Sequence, residues 1–119
     1  MRRVRVTGPA RRDVTDILRR SRNEFGGAAR ERYRSLIELA LQDLAEDPQR
    51  VGARPIDDIR AGYRLYHLGS SRPSRAHELP GQPRHIVVFR LDESGAVIIA
   101  RVLHERQMLT RHLAAPKDE

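Results

Sequence analysis

The chain has 119 residues, 39% of them hydrophobic and 33% charged. That length suits one domain with a single modest core and is too short for two. There is no Cys, which excludes disulfides, thiolate metal sites and thiol catalysis together. The formal charge is +7, and Lys117 is the only lysine, so the basicity is almost wholly arginine. Arginine at this density suits phosphate or carboxylate partners, and a GC-rich genome favouring Arg codons accounts for it equally well whatever the function.

No apolar run approaches the roughly 20 residues that span a bilayer. The N-terminus MRRVRV carries basic residues without a following apolar block, which does not fit a signal peptide. A cytoplasmic protein is therefore expected.

In chain order, Arg3-Val4-Arg5-Val6 alternates charged and apolar residues and reads as a short strand. Thr7-Gly8-Pro9 stops it, with Thr7 placed to cap a helix and Pro9 tolerated in its first turn. Val14, Ile17, Leu18 and Phe25 share a helical stripe, which predicts a helix over Ala10 to Glu24. Gly26-Gly27 breaks it. Tyr33, Leu36, Ile37, Ala40, Leu41 and Leu44 then mark a second amphipathic helix that Pro48 ends. The pair forms an αα-hairpin. Burying roughly ten of its apolar side chains, at ~1.5–3 kcal/mol each, is the main stabilising term available.

Val51 to Ala61 reads as a loop, and Tyr63 to Leu68 (YRLYHL) as a strand. The segment 69–83, GSSRPSRAHELPGQP, is a long inserted loop rich in Gly, Pro and Ser. Two apolar runs follow, Ile86 to Leu91 and Val97 to Leu103, joined by Asp92-Glu93-Ser94-Gly95, a hairpin signal. Neither run alternates cleanly, so both are expected to be buried on two faces. HERQMLTRHL suits a short final helix with Met108, Leu109 and Leu113 inward, and residues 114–119 form a tail. The expected fold is α+β in the order β-α-α-β-β-β: an antiparallel sheet, an αα-hairpin on one face and a short C-terminal helix.

The ordered set TGPARRDVTDIL, IRAGYRLYHLG, PRHIVVFRL and VIIARVLHERQM resembles the ParE branch of the RelE/ParE toxin superfamily over nearly the whole chain, Val4 to Leu113. The most specific piece is the strand ending Arg101-Val102-Leu103-His104, followed by Glu105, Arg106 and Met108. The resemblance implies a single toxin domain over residues 1–119. Its bearer would be a type II toxin that arrests growth by poisoning DNA gyrase and is neutralised by a ParD-like antitoxin. It implies binding and not catalysis, and no cofactor. The sequence departs from compact members at residues 69–83, where they have a tight turn.

RVLHER is the sharpest candidate site. Arg101 is the one charge in an apolar strand and must find a partner. Target contact is expected from Arg101, His104, Arg106 and Met108. The competing structural reading pairs Arg101 with Asp57 or Asp58 and has His104 capping the sheet. A RelE-like ribosome-dependent mRNA endonuclease is the alternative function, with His104, Glu105, Arg106 and Arg101 supplying acid, base and cations. Adjacent residues on a strand diverge, however, so His104 and Glu105 do not naturally share a pocket. A non-toxic relic that only binds its antitoxin is a further alternative. The histidines at 67, 77, 85, 104 and 112 offer no metal-ligand spacing, so no metal site is expected.

One helical hairpin and a short terminal helix cannot cover both faces of such a sheet, so an exposed apolar groove is expected to remain. An antitoxin segment docked there is expected to touch Arg11, Leu18, Arg64, Tyr66, Phe89 and Ile99. The arginines of the first helix are its solvated side, or a contact for an acidic antitoxin or the target; direct nucleic-acid binding through Tyr63, Tyr66, Arg60 and Arg64 is the less favoured reading.

Overall fold

A computed structural model describes residues 1–71 and 83–107. The expected C-terminal helix and tail, Met108 and most of the inserted loop lie outside the described residues. Strand β1 (Val4–Val6) leads into helices α1 (Gly8–Phe25) and α2 (Gly27–Glu46). Strands β2 (Ala53–Pro55) and β3 (Tyr63–His67) follow, then a 3₁₀ turn (Leu68–Ser71), β4 (His85–Leu91) and β5 (Val97–His104). The Thr7 hydroxyl caps α1 by accepting from the Ala10 amide. Gly26 alone makes the break between the helices: at φ 93° it ends α1, its amide donating to the Arg22 carbonyl, and α2 starts at the next residue.

The five strands form one sheet in the order β1-β5-β4-β3-β2. The α+β class and the element order are as expected, and two details differ. The sheet is mixed, not antiparallel, because β1 lies parallel to β5, Val4 beside Val97 and Val6 beside Ile99. An alternation of charged and apolar residues encodes which face is buried but not which way the neighbouring strand runs. The segment read as a loop after Pro48 also contributes β2, a three-residue edge strand against β3. Pro55 is tolerated there because an edge strand leaves one side of its backbone unpaired.

The helical hairpin buries one sheet face. Leu18, Leu36, Ile37, Ala40 and Leu44 pack there with Tyr66, Val87, Phe89, Val97, Ile99 and Val102. A second cluster, Ile56, Tyr63, Leu65, Ile86, Val88, Ala100 and Leu103, fills the opposite face, with Ile59 packed against it. All seven are at most 8% exposed. The open apolar groove expected from the sequence is therefore not found among the described residues. Two side chains of the segment that reads as a loop, Ile56 and Ile59, pack onto that face.

The pairing of β4 with β5 contains a bulge: Val88 faces Arg101 while Phe89 faces Ile99, leaving Ala100 as the extra residue. This explains why the apolar run does not alternate. Ile99 and Val102 both join the helix-side core, and Ala100 and Leu103 both join the other, spacings that an unbroken strand forbids.

Candidate functional site

Strand β1 pairs with β5 only as far as Ile99. Beyond it the edge of β5 has no strand neighbour, and α1 supplies the missing hydrogen bonds. The Thr7 hydroxyl donates to the Ala100 carbonyl at 3.0 Å. Asp13 then accepts from the Val102 amide at 2.9 Å, and from Arg101 through Nε at 2.7 Å and through its terminal nitrogen at 2.9 Å. Arg101 is thus held by Asp13, and neither Asp57 nor Asp58 is its partner; Asp57 accepts from the Gly62 amide in the turn before β3. The carboxylate raises the Arg101 pKa further. Past Val102 the His104 amide donates to the Gln107 side chain at 2.6 Å.

This edge borders a cleft of about 820 Å³ between α1, the start of α2 and the ends of β4 and β5. Ile17, Phe25, Tyr33 and Val102 give it an apolar floor, and Arg20, Arg84, His85, His104 and Arg106 line it. Inside, the Tyr33 hydroxyl and His85 Nδ1 are 2.6 Å apart. Tyr33, His85 and His104 stack edge to face, with ring centres 5.6 and 5.4 Å apart.

Burial sets the charge of this cluster. It pushes the Tyr33 pKa up to about 12, against a hydrogen bond from the Arg84 backbone that works the other way. Burial also pushes His85 down to about 4, helped by the neighbouring His104 and Arg20. Near neutral pH the phenol keeps its proton and the imidazole has none to spare. Tyr33 therefore donates to His85 Nδ1, and the single ring proton of His85 sits on Nε2. His104 is fixed likewise, because its Nδ1 accepts from the Arg106 amide at 3.1 Å.

Glu105 turns to the other side of the sheet end. It accepts from His67 Nε2 at 3.0 Å and from Arg84 at 3.1 Å, and these two bonds hold its pKa below the usual carboxylate value. His67 Nδ1 in turn accepts from the Gly69 amide. Glu105 is not among the residues lining the cleft, so His104 and Glu105 are separated as strand geometry requires.

The other expected contacts divide by burial. Leu18, Tyr66, Phe89 and Ile99 are core, the last three 0% exposed, so the expectation that they touch a partner is corrected: the helical hairpin already covers them. Arg11 is exposed on α1, with Nε donating to the Val6 carbonyl. Arg64 is half-buried and donates to the Ala53 carbonyl. Met108 lies outside the described residues. Sequence reading missed Asp13, Tyr33 and His85, and took Arg20 only as one of the arginines of the first helix that could meet an antitoxin or the target. Tyr33 was absorbed into the apolar stripe of α2, and nothing in the linear pattern joins it to a histidine 52 positions away.

Among the described residues no group of three His, Cys, Asp or Glu could hold a metal ion, and no helix is long and apolar enough to cross a membrane.

The family model described as ParE toxin of type II toxin-antitoxin system, parDE, matches residues 4–109. The chain belongs to the ParE toxin family. It is also 30% identical over 91 residues, 76% of either chain, to the protein named Toxin ParE1 in two strains of Mycobacterium tuberculosis. The protein is thus a ParE-type toxin of a type II toxin–antitoxin system. In this ParE-family chain the stretch RVLHER builds the β5 edge and one wall of the cleft.

Proposed function

We propose that this toxin arrests growth in the cytoplasm by binding and poisoning DNA gyrase, and that a ParD-like antitoxin neutralises it. The family match over residues 4–109 carries the reading. Contact with the target is assigned to the cleft wall, through His104 and Arg106 with Arg20 beside them. Arg101 acts indirectly by fixing the β5 edge through Asp13. The exposed Arg11, Arg19 and Arg22 of α1 are the charge complement for an acidic antitoxin.

The state of the cleft favours binding over catalysis. A general base works best with a pKa near the operating pH, and His85 lies at about 4 while Tyr33 lies at about 12. The mRNA-endonuclease reading has one specific observation in its favour, the convergence of His85 and His104 with three arginines in one cleft. A gyrase supercoiling and cleavage assay run beside an in vitro translation assay separates the two. Trapped, cleaved gyrase complexes with unimpaired translation are expected. Inhibited translation with untouched gyrase overturns the proposal in favour of the nuclease.

A further inference from the structure

Two guanidiniums in the cleft, those of Arg20 and Arg106, have no ion-pair partner among the described residues, although both line its wall. The other charges there are largely engaged: Asp13 holds Arg101, Asp16 holds Arg19, and Arg84 pairs with Glu105. Beside these cations stand two imidazoles whose Nδ1 atoms are both occupied as acceptors, His85 by Tyr33 and His104 by the Arg106 amide. Each ring consequently offers an Nε2–H donor, with no acceptor for either among the described residues. The cluster is rich in donors for an anion, and its two imidazoles are held in place by their own hydrogen bonds. Phe25, at the end of α1, lines the same cleft with 58% of its surface exposed. An exposed aromatic ring beside an anion site is a stacking platform for a base.

We propose that this cleft is a nucleotide-binding site, in which Arg20, Arg106 and the Nε2–H groups of His85 and His104 take the phosphate and Phe25 takes the base. A phosphate, with three terminal oxygens, uses more of these donors at once than a single carboxylate can. Glu24 remains as the acceptor for a ribose hydroxyl or a base amine. The source is either a free nucleotide or one unit of a single strand, and the chemistry is shared.

The proposal rests on the cleft being the working surface of the toxin and is tested apart from any target. The full chain is titrated with adenosine monophosphate, adenosine, inorganic phosphate, a ten-nucleotide single strand and a poly-glutamate peptide. Ring signals of His85 and His104 are followed by NMR. Saturable shifts with the monophosphate, at least tenfold tighter than with adenosine, are expected. Arg20→Ala with Arg106→Ala should weaken that binding at least tenfold, and Phe25→Ala should weaken the monophosphate but not inorganic phosphate. These three side chains are exposed, and circular dichroism checks the fold of each variant. Tighter binding of the single strand assigns the site to nucleic acid, and equal binding assigns it to free nucleotide. Absence of saturable shifts, shifts unchanged in the double variant, or poly-glutamate binding as tightly as the monophosphate overturns the proposal. A gyrase assay without inhibition leaves this measurement intact, so the two readings fail separately.

Discussion

Asp13 on α1 holds Arg101 through two hydrogen bonds, of 2.7 and 2.9 Å, while accepting a third from the Val102 amide. One carboxylate thus closes the strand edge that β1 leaves open and neutralises the one arginine of β5. The cleft wall at His104 and Arg106 begins just beyond this clamp.

Asp13→Ala should lower stability by about 2–3 kcal/mol, because it strands a half-buried guanidinium and a backbone amide together. Urea unfolding measures this. A double-mutant cycle with Arg101→Ala should show coupling above about 0.5 kcal/mol, and additive effects would mean the clamp is not a unit.

His85 gives the fold an acid-sensitive step. Its folded pKa, about 4, lies below the ordinary histidine value of 6.5, so the unfolded chain binds more protons between those values. Stability therefore rises with pH through that window and falls on acidification from about 6.5 toward 4. Thermal unfolding at several pH values should show this slope, and His85→Gln should flatten it. Glu105, held below its ordinary value of 4.5, adds a loss that sets in as the pH falls past about 4.5, because protonation removes its bonds to His67 and Arg84.

A buried polar chain ties α2 to the segment after β3. Tyr66 hydrogen-bonds Ser71, whose hydroxyl donates to Asp43, which also pairs with Arg50. Tyr66→Phe removes one hydroxyl and should cost about 1 kcal/mol, the ordinary worth of one such bond. Gly52→Ala should cost about 1 kcal/mol or more. Its φ is +99°, and a Cβ there would stand 2.7 Å from the Ser70 hydroxyl oxygen. Denaturation midpoints of the two variants check both values.

The proposed target face makes a prediction in cells. Arg106→Ala should relieve growth arrest on induction while leaving the unfolding free energy within about 0.5 kcal/mol of wild type, since its side chain is exposed in the cleft outside the core clusters. Phe89→Ala should also relieve arrest, but through a loss of about 3–5 kcal/mol of stability from a fully buried site. Growth curves paired with unfolding curves distinguish the two routes.

The amino-acid order by itself determined both helices and every strand but β2. Helical periodicity placed α1 and α2, the Asp92-to-Gly95 turn joined β4 to β5, and Thr7 and Gly26 marked helix ends, because each of these is decided by neighbours within a few residues. It also marked Arg101 as a charge in need of a partner. Only the tertiary structure decided that the partner is Asp13, 88 positions away, that β1 runs parallel to β5, and that Tyr33, His85 and His104 meet in one cleft. The bulge at Ala100 lies behind part of this. It breaks the two-residue period on which a strand can be read, and so turns onto the helix side a side chain that local pattern assigns elsewhere.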